Sequence, residues 1–163
     1  RPKSDWSNWW KTALPWMSIG YETQIPPIAT LTFYNAIANG GKMVKPILYK
    51  GETEIINPLI ACKANVDSVR LALTKVVSEG LGKPAASGKV QVAGAAGTSQ
   101  ISIEDDGSDK FLEYSVEFCG FFPADQPKYS IIVSMNKMGL PASGGLMAGS
   151  VFSEIVNLMV EME

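Results

Sequence analysis

Any chemistry in this chain has to proceed without histidine, since none of its 163 residues is one. A Ser-His-Asp or Cys-His arrangement within the polypeptide is therefore excluded, and acyl transfer would need lysine as the base. The stretch with the most pointed residue types is Val90-Gln91-Val92-Ala93-Gly94-Ala95-Ala96-Gly97-Thr98-Ser99-Gln100. Valine and alternating small residues suit an extended strand, and glycines at 94 and 97 remove side chains where a second backbone or a substrate must come close. That pattern describes a ligand-lining strand. On residue types alone a plainer reading stands beside it, in which Gly97 marks a strand crossing close to a helix and Thr98 is an ordinary β-former. Two other groups carry less. Cys62 and Cys119 lack a metal-type spacing and read as two isolated core thiols, with a disulfide left open. Glu104-Asp105-Asp106-Gly107-Ser108-Asp109 reads as a solvated acidic turn. It is too short for an EF-hand loop and lacks the terminal glutamate, which leaves calcium binding the weaker alternative. No metal and no cofactor are expected.

The elements that must hold the strand are legible from periodicity and punctuation. Pro26-Pro27 places a proline at the first position of a helix over Ile28 to Asn39, with Ile28, Leu31, Tyr34 and Ile37 as its larger apolar residues and Asn39-Gly40-Gly41 as a left-handed stop. Met43 to Tyr49 reads as extended, with Pro46 at an edge or outside a ladder. Asn65 is a candidate N-cap for a helix over Val66 to Glu79, whose stripe is Val66, Val69, Leu73, Val76 and Val77, and Gly80 stops it. Leu81 to Ser87 is a loop feeding the strand. After it, Phe111 to Phe122 and Tyr129 to Met135 are β-rich runs separated by Pro123 to Lys128, so a three-strand meander is expected. Leu146 to Glu163 carries Ala148, Val151, Phe152, Ile155, Leu158, Met159 and Met162 at helical spacing, a helix that should cross one face of the sheet.

The whole, residues 1–163, reads as a single α+β unit: an antiparallel sheet packed with helices. It divides into an aromatic opening segment (1–24), a helical part (25–89) and the meander with the C-terminal helix (90–163). The opening segment holds Trp6, Trp9, Trp10 and Trp16, and Pro2 and Pro15 argue against one continuous helix there. It reads as a core lid or a surface that packs on a missing part of the protein, with a sugar or peptide platform as the functional alternative. Apolar content of 46% supports one real core. A net charge of −2 and a pI near 5.2 leave no footprint for nucleic acid or an anionic membrane. No signal peptide and no apolar stretch of about 18 residues is present, and a start at Arg1-Pro2-Lys3 points to an excised piece of a longer protein.

The strand Val92-Ala93-Gly94-Ala95-Ala96-Gly97-Thr98 closely resembles the third motif of penicillin-recognising serine acyl-transferases, Lys-Thr/Ser-Gly followed by Thr. Gly97 and Thr98 match, while Ala95 and Ala96 stand at the family's Lys and Thr/Ser positions. Ser18-Ile19-Gly20-Tyr21, Ala36-Ile37-Ala38-Asn39-Gly40-Gly41 with Lys45-Pro46, Val76-Val77-Ser78-Glu79-Gly80, and Lys128-Tyr129-Ser130-Ile131-Ile132-Val133 with the closing helix are similar, in the same order, to class B penicillin-binding proteins. The resemblance runs over nearly the whole chain. It implies a partial penicillin-binding transpeptidase fold, which is serine β-lactamase-like, and covers about the C-terminal half of the transpeptidase domain. The family's Ser-x-x-Lys and Ser-x-Asn motifs lie before the region that starts at Arg1. Ser134-Met135-Asn136-Lys137 matches both patterns but ends a β-rich run after the third-motif strand, whereas the nucleophile needs a helix start, so the match reads as coincidence.

The resemblance implies a parent that cross-links peptidoglycan by D,D-transpeptidation through an acyl-enzyme during wall synthesis, on the periplasmic or extracytoplasmic side of the membrane to which it is anchored. In that frame the Thr98 N–H contributes to the oxyanion hole, its hydroxyl hydrogen-bonds the carboxylate of a D-alanyl stem peptide or β-lactam, and Gly97 permits the approach. This chain alone holds no catalytic residue beyond that contribution and is expected to be inactive. Its partners are the missing N-terminal part, the stem peptide or β-lactam in the intact parent, and, through an uncovered apolar surface, other copies of itself. Alternatives are a non-catalytic binding or scaffold module of the cell envelope with the same fold, or a β-lactamase or β-lactam sensor relative.

Overall fold

The computed structural model describes residues 13–18, 20, 25–103 and 111–162. Trp6, Trp9, Trp10 and the acidic run 104–109 lie outside the described residues. Of the opening segment, Ala13–Met17 forms a short helix, α1, with Trp16 exposed. Helix α2 spans Pro27–Ala38. Pro27 takes the first position, where a missing N–H costs nothing, and Gly40 and Gly41, at φ 65° and 97°, supply the left-handed stop. A two-stranded ribbon follows, β1 (Met43–Val44) against β2 (Ile55–Asn57), the second of which no periodicity marks. Lys45 closes its loop with an ion pair to Glu54 at 2.7 Å, and Pro46 lies outside the ladder.

Helix α3 spans Lys63–Ser78, starting three residues earlier than capping by Asn65 requires. The amides of Asn65 and Val66 bond to the Cys62 carbonyl, so Cys62 is the N-cap position and Asn65 lies inside the first turn. A Lys63–Asp67 ion pair at 2.6 Å spans that turn. Val66 and Val77 are buried as the stripe predicts, but Val69 is 42% exposed. Between α3 and the sheet, Lys83–Ala85 makes one 3₁₀ turn within the predicted loop.

The main sheet is the antiparallel meander β3 (Ala93–Ile103), β4 (Phe111–Phe122), β5 (Tyr129–Met138), in that spatial order. Strand β3 starts at Ala93, three residues after the expected Val90. Helix α4 (Met147–Glu161) closes the chain. Strand alternation sends neighbouring phenylalanines to opposite faces. Phe118 and Phe122 meet Phe152 and Val156 of α4, together with Val77, Ala85 and Val92. Phe121 and Ala93 meet Ile37 of α2 and Val66 of α3. The Phe118 and Phe152 rings lie 4.8 Å apart and both are fully buried, each contributing about 1.5–3 kcal/mol by burial. Arg70 of α3 donates to the carbonyls of Ala124 (3.0 Å) and Asp125 (2.8 Å), fastening the β4–β5 turn to the helix layer. Of the two thiols only Cys119 is a core residue; Cys62 is exposed, and both are free. On α4, Phe152 and Ala148 are buried, whereas Leu158 and Met162 face solvent and Val156 takes the core place. Apolar residues around the ribbon are also uncovered, Leu48 (96%) and Tyr49 (86%) most of all. Among the described residues no helix is long and apolar enough to cross a membrane.

Candidate ligand strand

Strand β3 pairs only with β4 among the described residues, which leaves its other edge open. Its register runs without a break from Ala93↔Phe121 to Ile103↔Phe111. In an antiparallel ladder hydrogen-bonded and non-hydrogen-bonded pairs alternate, and the latter bring the backbones closer. Gly94 and Gly120 form such a close pair, since a Cβ on Gly94 would lie 2.9 Å from the Gly120 Cα. Ala96 and Thr98 share the phase of Gly94, so their backbone N–H and C=O groups point away from β4 to the open edge. Side chains alternate across the strand. Ala95 and Gly97 share the α2/α3 face with Ala93, and Ala96 and Thr98 share the face that carries α4.

The two glycines of the strand have different surroundings. A side chain on Gly94 would meet the Cys119 carbonyl at 2.6 Å and the Phe118 ring at 2.8 Å. One on Gly97 would meet nothing within 4 Å among the described residues. Close packing therefore accounts for Gly94, while among the described residues nothing packs where a Gly97 side chain would stand. Ala96, Gly97 and Thr98 are exposed, and Ala95 is half-buried opposite Cys119. Burial pushes the Cys119 thiol up to about 12, helped by the nearby Glu117 carboxylate and opposed by a backbone hydrogen bond from Gly120. A thiol so held stays protonated at neutral pH and is no nucleophile. Tyr34 of α2 is also raised, by burial and then by Cys119.

Thr98 Oγ1 accepts a 2.9 Å hydrogen bond from the amide of Gly144, in the turn before α4. A Cβ on the neighbouring Gly145 would stand 3.9 Å from that of Ala96 and 2.5 Å from the Leu81 carbonyl. These glycines went unremarked in the sequence; a Gly-Gly pair directly before an apolar helix was the signal available. Ser134 and Lys137 are not brought together. Ser134 Oγ donates to Glu117 Oε1 at 2.9 Å, Lys137 Nζ donates to the Gly139 carbonyl at 3.3 Å, and three residues along β5 put the two side chains on opposite faces. Among the described residues no three potential metal-ligating side chains of His, Cys, Asp or Glu cluster.

An edge strand with an open small-residue centre, backed by helices on both faces, is an architecture that can be compared with known proteins. The family model of the penicillin binding protein transpeptidase domain matches residues 2–157. The chain belongs to the penicillin-binding protein transpeptidase family. Among relatives, it is 28% identical over 154 residues to stage V sporulation protein D of Bacillus subtilis (strain 168), covering 85% of this chain and 23% of that protein. It is 26% identical over 171 residues to the peptidoglycan D,D-transpeptidase FtsI homolog of Mesostigma viride, covering 90% and 28%. Among solved structures, the TP domain of penicillin-binding protein 3 from Burkholderia pseudomallei superposes with a TM-score of 0.73 at 26% identity, over 98% of this chain and 49% of that one. The chain thus spans about a quarter of the curated relatives and about half of that transpeptidase domain. The expected class B penicillin-binding resemblance and the mixed helix and antiparallel-sheet fold both hold.

Proposed function

We propose that this chain is the C-terminal half of a class B peptidoglycan D,D-transpeptidase domain and contributes the strand that binds the D-alanyl stem peptide or a β-lactam. The observation that carries the reading is the open centre of β3: among the described residues Gly97 has no side-chain-side packing neighbour, and the Thr98 amide faces the edge that no described strand pairs, within a chain of this family. The parent's serine, held with its lysine in an upstream Ser-x-x-Lys, gives its proton to that lysine as it attacks the carbonyl of the penultimate D-alanine. The amide to the terminal D-alanine then breaks, releasing that residue with its nitrogen reprotonated and leaving the acyl-enzyme. The Thr98 N–H donates to the oxyanion that forms, and the Thr98 hydroxyl donates to the terminal carboxylate. Such a protein works on the outer side of the bacterial inner membrane, anchored by a segment elsewhere in its sequence, and takes part in wall synthesis at division. The missing N-terminal half is the first partner of this chain, and the apolar residues left uncovered around the ribbon suit such docking.

Ala95 and Ala96 favour a second reading, a non-catalytic envelope module that keeps the fold. Alanine supplies neither the positive charge nor the hydroxyl that the family's lysine and threonine give. One experiment separates the two. In the intact protein, with its upstream motifs, acylation by a fluorescent penicillin is compared before and after Ala95→Lys with Ala96→Thr. A lost catalytic electrostatic donor commonly costs about 10²–10³ in rate, so the substituted protein should acylate faster by that order. Equal rates would remove positions 95 and 96 from the third motif. An upstream sequence without Ser-x-x-Lys would decide for the scaffold.

A further inference from the structure

Gly144 is buried, precedes α4 by three residues, and touches the ligand strand in two ways. Its amide donates to Thr98 Oγ1 at 2.9 Å. Its missing side chain is also required there, because a Cβ would run into the Gly97 carbonyl oxygen and come within 2.6 Å of that of Glu117. Gly97 and Glu117 are cross-strand partners, so the turn presses on the sheet where β3 and β4 are laddered together. Those carbonyls cannot swing aside without breaking the ladder.

We propose that Gly144 is a positioning residue for the Thr98 hydroxyl, an inference that rests on reading β3 as a ligand strand. A threonine hydroxyl has one proton to give and two lone pairs to receive. With the Gly144 amide on one lone pair, the side-chain rotamer is held and the proton must point away from that amide. The hydroxyl is then presented as a donor, suited to an anionic acceptor such as a carboxylate and poorly suited to a cation. The contact also ties the strand's open edge to the start of α4, so a change at position 144 reaches the ligand side through Thr98 and Gly97 with no contact of its own to the ligand.

Two measurements test this. In this chain, amide hydrogen exchange at Gly144 is followed by NMR in the native protein, Thr98→Val and Thr98→Ser. Loss of the acceptor should speed exchange about tenfold in the valine variant, and serine should restore protection. Exchange unchanged in Thr98→Val overturns the contact. In the intact protein carrying Ala95→Lys and Ala96→Thr, Gly144→Ala should slow acylation by a penicillin about tenfold more than it slows acylation by the methyl ester of the same penicillin. Equal slowing of acid and ester would make Gly144 structural only and overturn the positioning role. Absence of any acylation in that protein would sink the ligand-strand reading and the carboxylate role with it, while the exchange measurement still decides the Gly144–Thr98 contact. Where Gly144→Ala fails to fold, Thr98→Ser and Thr98→Val carry the same acid-against-ester comparison: serine should keep the preference for the acid and valine should lose it, and valine keeping it overturns the role.

Discussion

Gly94 and Gly97 stand three residues apart on one strand, and substituting each by alanine should move stability in opposite directions. At Gly94 the new methyl would lie 2.6 Å from the Cys119 carbonyl, 2.8 Å from the Phe118 ring and 2.9 Å from the Gly120 Cα. Two of those neighbours are backbone in a paired ladder and the third is a fully buried ring, so none can yield cheaply. Overpacking of this kind costs about 1–3 kcal/mol or more. At Gly97 the methyl would meet nothing within 4 Å among the described residues, and the backbone is not in the left-handed region. The remaining effect is the lower entropy of the unfolded chain, a gain of about 0.4–1 kcal/mol. For a domain of this size each kcal/mol moves the melting temperature by about 2–4 °C. Gly97→Ala should therefore melt about 1–4 °C higher and Gly94→Ala about 2–12 °C lower, read by circular dichroism and checked by urea unfolding. A Gly97→Ala variant destabilised as much as Gly94→Ala would show position 97 to be sterically enclosed. The glycine would then serve packing, and the central support for β3 as a ligand strand would be gone.

Phe152→Ala removes a fully buried ring in contact with Phe118 and Phe122 and should cost about 3–5 kcal/mol, measured by denaturant unfolding; a loss under about 1 kcal/mol would mean that α4 is not anchored on the sheet there. The Cys119 thiol is raised in the folded state, so the unfolded chain releases its proton first as pH rises. Stability should fall above about pH 9, at no more than about 1.4 kcal/mol per pH unit, and the fall should be smaller in Cys119→Ala; identical pH profiles would refute the burial argument. Incubated with a fluorescent penicillin, this chain should show no mass increase, because Ser134 is bonded to Glu117 and lies across the sheet from Lys137. A stoichiometric adduct on Ser134 would overturn that.

What could be read along the chain is what local physics controls. Pro27 and the Gly40-Gly41 pair act within one turn of helix, so α2 was legible to within a residue at each end. The β-rich runs of β4 and β5, split by Pro123 to Lys128, gave the meander for the same reason. Gly97-Thr98 singled out β3 through the resemblance to the third motif, since on residue types alone an ordinary strand reading stood beside it. Where local signals were weak, context prevailed. Asn65 is a good cap in isolation, but the helix begins at Lys63, with the Lys63–Asp67 ion pair across its first turn, and Asn65 lies inside α3. Val69 fits a helical stripe by spacing, yet its side of α3 finds no partner among the described residues and stays exposed. The three residues of β2 are too few for periodicity to register and depend on pairing with β1. The difference between Gly94 and Gly97 is invisible in sequence, since both are glycines in one strand; it arises from the partner strand, whose close approach at Gly120 fills one position and leaves the other open. The Gly144–Thr98 contact joins residues 46 positions apart and exists because α4 starts directly over the β3–β4 ladder, which no spacing along the chain encodes.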